Sequence, residues 1–117
     1  MNQIPPPINF TALLEMLGGD QQIVASVLSK FVGELTADVA ACEQANIDND
    51  TEALRLIAHR IKGTSANLHA LMLSAAALEL EQACTEADAS LITIKQQVVS
   101  DQARLVQDAI EMWGAER

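Results

Sequence analysis

The chain has 117 residues, of which half are hydrophobic and only 3% are aromatic, and its formal net charge is −9. This length suits a single domain, because it provides enough apolar side chains for one modest core. The excess of acidic over basic residues, 16 against 7, would repel phosphate backbones and argues against nucleic-acid binding. No apolar run approaches the ~20 residues that cross a bilayer, and the N-terminus lacks a basic start followed by an apolar stretch, so a signal peptide is not predicted.

All three prolines lie at positions 5–7, and the rest of the chain has none. Because proline interrupts helices, its absence over the remaining sequence predicts a nearly all-helical protein. Residues 1–7 are predicted to be a linker or disordered N-terminus, and residues 8–117 a single helical domain.

Five segments are predicted to form α-helices. The first is short and lies between Asn9, a candidate N-cap, and the pair Gly18-Gly19. A long segment follows from Asp20 to about residue 46, and a third begins at residue 49 or 50 after a turn rich in Asn and Asp. A fourth segment precedes a break at 88–90, and a fifth runs from about residue 91 to 113.

Apolar residues recur every three or four positions in the four longer segments, which predicts one buried face on each. The predicted core stripes are Val24, Leu28, Phe31, Leu35, Val39 and Cys42; Leu54, Ala58, Ile61, Ser65 and Leu68; Leu73, Ala77, Leu80, Cys84 and Ala87; and Val98, Leu105, Ala109 and Met112. Short connections make successive helices antiparallel neighbours. The predicted fold is therefore all-α, an antiparallel up-down four-helix bundle with a short N-terminal capping helix.

The two cysteines, Cys42 and Cys84, lie far apart in the sequence and on apolar stripes. They are predicted to be buried free thiols rather than a disulfide, which favours a reducing, cytoplasmic compartment.

The third segment contains the candidate site. At ~100° per residue, His59 falls about 140° from the core stripe of this helix, with Arg55 and Lys62 on the same flank. Arg55, Arg60 and Lys62 are three of the seven Lys and Arg residues of the chain. The pattern predicts a local positive patch around one exposed imidazole.

Gly63 lies one turn after His59 on the same flank. A glycine inside a helix costs ~1 kcal/mol relative to alanine, so its presence needs a reason. Removing a side chain here would clear space for an incoming partner or phosphoryl group. With Lys62 as an ammonium for oxyanions, the residues predict an accessible imidazole nucleophile.

Residues 58–68, AHRIKGTSANL, resemble the signature of bacterial histidine phosphotransfer (HPt) domains, which is Ala-His-x-aliphatic-Lys-Gly, then small residues and an aliphatic one. Ala70 and the pair Leu80-Glu81 also match the family pattern, and the resemblance covers nearly the whole chain. It implies a phosphorelay intermediary, in which His59 accepts a phosphoryl group from a receiver-domain aspartate and passes it to another receiver domain. It also implies a protein that is not a kinase and has no cofactor of its own, since the partner receiver domain supplies Mg²⁺.

The resemblance assigns roles to the polar neighbours of His59. Lys62, with Arg55, would offset charge on the phosphoryl oxygens. Near pH 7 the Lys62 cation would also disfavour the imidazolium and keep the nucleophilic neutral ring available. Glu81 would orient the imidazole through Nδ1, with Gln82 as the neighbouring alternative.

A docking receiver must bury some apolar surface beside the histidine. Leu56 and either Leu13 or Leu14 are candidates for that surface, with Gly63 leaving room and Ala66 as its floor. For the two leucines of the first segment, a place in the bundle core is the favoured interpretation.

His69 departs from the family pattern, which usually has glycine at this position before Ala70. Glycine there lets the chain leave the helix with positive φ, so His69 must tolerate that geometry or the turn must differ. His59 and His69 are ten residues apart and fail the i, i+4 spacing that converges on one ion, so no metal site is predicted.

Two other functions remain open from the sequence. The chain is alternatively a non-catalytic helical docking module for a response regulator, or the phosphoacceptor and dimerisation segment of a histidine kinase. The latter forms its bundle from two chains, whereas four long stripes in one chain favour a monomer. The expected partners are receiver domains, with a hybrid sensor histidine kinase in the same chain as a further candidate, and the expected location is the cytoplasm or the cytoplasmic portion of a membrane-bound sensor kinase.

Overall fold

The computed structural model describes residues 5–116, which form five α-helices. They are α1 (Phe10–Met16), α2 (Gln21–Ile47), α3 (Thr51–Asn67), α4 (Leu71–Glu86) and α5 (Ala89–Ala115). The predicted all-α fold is confirmed, with a bundle of α2 to α5 and a short N-terminal helix. Of the predicted linker at 1–7, residues 1–4 lie outside the described residues.

Side-chain caps begin four of the five helices. Asn9, Asp20, Asp50 and Asp88 each accept a hydrogen bond from a backbone N–H in the first turn of α1, α2, α3 and α5 respectively. Each such cap stabilises its helix by about 1 kcal/mol. Helix α4 begins after Ala70 without a side-chain cap, because it follows directly from the turn that ends α3.

The four long helices pack in chain order. Helix α2 packs against α3 and α5, and α4 packs against the same two helices. Connections of only two or three residues, at 48–50, 68–70 and 87–88, make each helix antiparallel to the one before it. The helices therefore form a closed ring in which α3 and α5 lie on one diagonal.

The predicted stripes of α2, α3 and α4 face the core, with one exception. Val39 and Leu68 are half-buried and pack against the core, whereas Ala87 is exposed because it is the C-cap of α4, with φ of 56°. The other members are buried: Val24, Leu28, Phe31, Leu35, Cys42, Leu54, Ala58, Ile61, Ser65, Leu73, Ala77, Leu80 and Cys84.

Both cysteines are buried free thiols, as predicted. Burial raises the pKa of Cys42 to about 12 and raises the pKa of Cys84 from its ordinary value. Since the thiolate is the reactive form, both side chains act as small apolar groups of the core.

Only half of the predicted core stripe of α5 is confirmed. Val98 and Ala109 are half-buried and pack against the core, whereas Leu105 and Met112 are 49% and 64% exposed. The residues that face the bundle are Ile92, Gln96, Val99, Ala103 and Val106. Both sets repeat at helical spacing on different sides of α5, so periodicity alone does not determine which side is buried.

The turn between α3 and α4 has the geometry that usually requires glycine. His69 has φ of 60°, and its N–H bonds the carbonyl of Ala66 at 3.2 Å, while Ala70 N–H bonds that of Ser65 at 2.9 Å. These two bonds form a Schellman motif, so His69 adopts the left-handed conformation.

The same turn anchors the N-terminal helix. The N–H of Asn9 donates to the carbonyl oxygen of His69 at 3.0 Å, and the next residue, Phe10, stacks on Trp113 with ring centroids 5.5 Å apart. Helix α1 thus links the α3–α4 turn to the end of α5.

Within residues 5–116, no helix combines the length and the apolarity needed to cross a membrane.

The conformation of His69 predicts that His69→Gly raises the free energy of unfolding. A left-handed conformation costs a residue with a Cβ roughly 1–2 kcal/mol, partly offset by the extra backbone freedom of glycine, so the expected gain is about 0.5–1 kcal/mol. Urea denaturation monitored by circular dichroism measures it. His69→Ala is the control and should not stabilise the protein, since alanine keeps the Cβ; an equal gain for both variants would contradict this account.

Candidate functional site

His59 lies near the middle of α3 on a flank that the bundle does not cover. The burial of Leu54, Ala58, Ile61 and Ser65 fixes which side of α3 faces the core. The side chain of His59 is consequently 62% exposed.

Glu81 of α4 contacts His59 and Lys62 with its two carboxylate oxygens. Oε2 lies 2.7 Å from Nδ1 of His59, and Oε1 accepts a hydrogen bond from Nζ of Lys62 at 2.9 Å. The Glu81 side chain is only 16% exposed, so the carboxylate is held between α3 and α4. A further bond, from Ser74 Oγ to the carbonyl of Lys62 at 2.9 Å, fixes the register of the two helices beside the site. The structure thus brings Glu81, rather than Gln82, against the imidazole.

These contacts determine which ring nitrogen of His59 is free. The hydrogen bond from Lys62, followed by that from His59, lowers the pKa of Glu81, so the carboxylate is ionised near neutral pH. An ionised carboxylate only accepts hydrogen bonds, which places the proton of the neutral imidazole on Nδ1. Nε2 then carries the lone pair, and it is the ring nitrogen available to react.

The three basic residues of α3 are all paired with carboxylates. Arg55 donates to Glu52 from Nε and a terminal nitrogen at 3.0 and 2.6 Å, and Arg60 donates to Asp38 of α2 at 2.6 Å. Lys62 is bound to the carboxylate described above. The predicted positive patch therefore has no net positive charge, because each of the three cations has an acidic partner. The ion pair of Arg60 lies between α2 and α3 and stabilises the contact of these helices.

Gly63 is exposed, and a Cβ built on it would meet no atom within 4 Å. Packing within the chain therefore does not require glycine at this position. Ala66, the next residue on this side of α3, is also exposed. The two residues leave a shallow surface on the C-terminal side of His59.

The leucines named by the sequence analysis divide between core and surface. Leu13 is fully buried and Leu14 is packed against the core, so the first helix offers neither of them for docking. Leu56 is 52% exposed and lies one turn before His59.

Sequence reasoning missed an apolar stripe on α4. Leu71 is 63% exposed and Leu78 is 40% exposed, and Leu78 precedes Glu81 by one turn. Ala75, between them, is exposed as well. The continuous apolar composition of α4 hid this stripe, since its members differ from the core residues only in the side of the helix they occupy.

Comparison with protein families matches residues 26–115 to the Hpt domain family. The chain belongs to the Hpt domain family. Members of this family act in histidine phosphotransfer within two-component relays. The chain is also similar to the crystal structure of histidine-containing phosphotransfer protein B (HptB) from Pseudomonas aeruginosa PAO1, with a TM-score of 0.87 and 19% identity. That match covers 97% of this chain and 99% of the other, and at this identity it shows the fold. No curated relative matches the chain.

The lowered pKa of Glu81 predicts a pH-dependent loss of stability in Glu81→Gln. A carboxylate whose pKa is lower in the folded than in the unfolded protein stabilises the fold above the unfolded value, here 4.5. This contribution disappears as the pH falls through the folded pKa. We expect Glu81→Gln to cost about 0.5–1 kcal/mol at neutral pH, since the Lys62 contact is partly exposed.

Urea denaturation of both proteins at several pH values measures this difference, which should shrink as the solution becomes acidic below pH 4.5. Glu86→Gln, an exposed residue of the same helix, is the control and should leave stability nearly unchanged at neutral pH. A Glu81→Gln difference that is the same in acid and at neutral pH would assign it to packing rather than to charge.

Proposed function

We propose that this Hpt domain is a phosphorelay intermediary whose phosphoacceptor is Nε2 of His59. The observation that carries the proposal is an exposed imidazole with Nδ1 held by Glu81 at 2.7 Å, beside a glycine that the fold itself does not need. Membership of the Hpt domain family supports the same conclusion.

In the proposed reaction, the lone pair of Nε2 attacks the phosphorus of a receiver aspartyl phosphate in line. The N–P bond forms as the P–O bond to the aspartate breaks, and the receiver carboxylate leaves with the electron pair. The imidazole ring becomes cationic, and its Nδ1–H remains bound to the carboxylate of Glu81, which stabilises that charge. The reverse reaction transfers the phosphoryl group to the aspartate of a second receiver.

Lys62 is proposed to stabilise charge on the phosphoryl oxygens. Its ammonium has three N–H donors, and Glu81 accepts from it at Oε1, so donors remain for an incoming oxyanion. Arg55 is proposed to assist by leaving Glu52. Water and salt weaken an ion pair at the surface, so a phosphoryl group can compete for the guanidinium at low cost.

The proposed partners are receiver domains of response regulators, which supply the Mg²⁺ of the reaction from their own acidic pocket. Such a receiver would cover the open side at Gly63 and Ala66 and bury the exposed leucines on either side of it, Leu56 and Leu78. We further propose that the chain has no kinase activity of its own and works in the cytoplasm, either by itself or attached to a hybrid sensor kinase.

Phosphotransfer assays separate this function from that of a docking module. The protein is incubated with a phosphorylated receiver, and acid-labile, base-stable phosphate on the chain is followed. We expect His59→Gln to abolish the labelling, because no other residue has the free ring nitrogen at this site. His69→Gln is the matched control, since it removes the other imidazole of the chain and should retain the transfer. Transfer that survives in His59→Gln would refute the assignment, and a wild-type chain that binds the receiver without transfer would support the docking module.

The open space at Gly63 predicts that stability and transfer change in opposite directions. Gly63→Ala should raise the free energy of unfolding by about 1 kcal/mol, because alanine favours the helix and its Cβ meets no neighbour. The same methyl group would obstruct the approach to Nε2 and slow transfer by about tenfold.

Gly33→Ala is the control for Gly63→Ala. Gly33 is an exposed glycine inside α2, and a Cβ there also meets nothing within 4 Å. This variant should gain similar stability and transfer at the wild-type rate. Equal transfer rates for the two variants would show that Gly63 does not serve to clear the approach.

A further inference from the structure

Helix α4 has one hydroxyl in the apolar run with which it begins. Residues 71–78 are LMLSAAAL, so Ser74 is the only polar side chain of this run. It is half-buried where α4 contacts α3. Serine has a lower helix propensity than alanine, and alanine would fill nearly the same space, so helix formation and packing give no reason for a hydroxyl at this position.

The hydroxyl of Ser74 bonds to a neighbouring helix rather than to its own. Serine and threonine hydroxyls within helices commonly donate to the carbonyl one turn back, as Thr36 and Thr85 do in this chain. Ser74 Oγ instead donates to the carbonyl oxygen of Lys62 in α3 at 2.9 Å. A carbonyl oxygen has two lone pairs, so it can accept this bond in addition to the helical one. The bond therefore joins α4 directly to the backbone of α3.

Ser74 and Glu81 attach α4 to α3 at two points on the same flank. They are seven residues apart, which is nearly two helical turns, or about 10 Å along α4. Both contact Lys62, since Ser74 bonds to its carbonyl oxygen and Glu81 bonds to its ammonium at 2.9 Å. Helix α4 has no side-chain cap that would fix its start. These two contacts therefore set the shift and the rotation of α4 relative to α3 beside the site.

The position of Glu81 determines which nitrogen of His59 carries the proton. Glu81 Oε2 lies 2.7 Å from Nδ1 of the imidazole. Hydrogen bonds of this kind extend only to about 3.2 Å, so a shift of α4 by about 1 Å would break the contact. Without that contact nothing holds the proton of the neutral ring on Nδ1, and a proton on Nε2 removes the lone pair that must attack phosphorus.

We propose that Ser74 is a positioning residue of the phosphotransfer site. Its hydrogen bond to the carbonyl of Lys62 holds α4 in the register that keeps the Glu81 carboxylate on Nδ1. The proton of the neutral imidazole is thereby kept off Nε2. This inference rests on the proposed function, because it gives Ser74 a part in making His59 nucleophilic. Ser74 acts through Glu81 and takes no part in the bond changes of the transfer.

The tautomer of His59 tests this role directly. Nitrogen-15 NMR of the neutral imidazole distinguishes a proton on Nδ1 from a proton on Nε2. We expect the Nδ1–H form to predominate in the wild type and the Nε2–H form to increase in Ser74→Ala. Transfer from a phosphorylated receiver should slow by about three- to tenfold in the same variant, because the reacting group is less well oriented. Ser74→Thr keeps the hydroxyl and should restore both the tautomer and the rate.

Thr36→Val is the matched control. Thr36 of α2 accepts a hydrogen bond from Gln107 of α5 at 2.9 Å, so this variant also removes one bond between helices, but from a different helix pair. It should leave the tautomer of His59 and the transfer rate at their wild-type values. Circular dichroism verifies that all variants are folded.

A double-mutant cycle separates action through Glu81 from a direct effect of Ser74. Glu81→Gln removes the carboxylate whose position Ser74 is proposed to fix. Adding Ser74→Ala to Glu81→Gln should slow transfer no further, because two residues that act on one contact are not additive.

Four results would overturn the role of Ser74. They are a wild-type tautomer in Ser74→Ala, an equal change in Thr36→Val, a Ser74→Thr variant that behaves like Ser74→Ala, and slowing by Ser74→Ala that persists in Glu81→Gln. The NMR measurement needs no receiver, so it tests Ser74 independently of transfer. A wild-type chain that holds its proton on Nδ1 but accepts no phosphoryl group would refute the proposed function instead.

Discussion

The carboxylate of Glu81 accepts one hydrogen bond from His59 at 2.7 Å and one from Lys62 at 2.9 Å, and the chemistry of the site depends on this pair of contacts. Both donors lie on α3 and the acceptor on α4, so the packing of these two helices sets the orientation of the imidazole. The hydrogen bond from Lys62 lowers the pKa of Glu81 below its ordinary value, and the ionised carboxylate places the proton of the neutral imidazole on Nδ1. Lys62 therefore influences the imidazole through their shared partner Glu81, and Nε2 of His59 stays free to react.

The surface around the imidazole is open because the fold does not use it. The core is formed by the opposite side of α3, and Gly63 contributes nothing to packing that alanine would not also provide. A more stable helix is therefore available to the chain at this position. Gly63 lies one turn from an exposed histidine, and a partner that must approach the histidine closely best explains why the chain has glycine there. Alanine would make the helix more stable but would leave less room for that partner.

Much of the fold and part of the site could be predicted from the sequence. The caps at Asn9, Asp20 and Asp50 have local causes, because each uses a side chain within three residues of the N–H that it binds, and such signals can be read from neighbouring letters. The flank of His59 follows from periodicity on α3. Ion pairs between helices could not be predicted from the sequence. Asp38 pairs with Arg60 because of the way α2 and α3 pack, and no local sequence pattern indicates that contact.

The error on α5 has a different cause. Helix α5 has two apolar sides, and the sequence assigns the core to the one with the longer side chains, whereas the bundle buries Val99, Ala103 and Val106. Small residues such as Ala103 allow the close approach of neighbouring helices, which larger side chains at that position would prevent. The larger side chains, Leu105 and Met112, are then left on the outer side of the helix, where they are 49% and 64% exposed. The periodicity argument fails here because helical spacing is the same on every side of α5, whereas the choice of the buried side depends on which side chains fit between neighbouring helices.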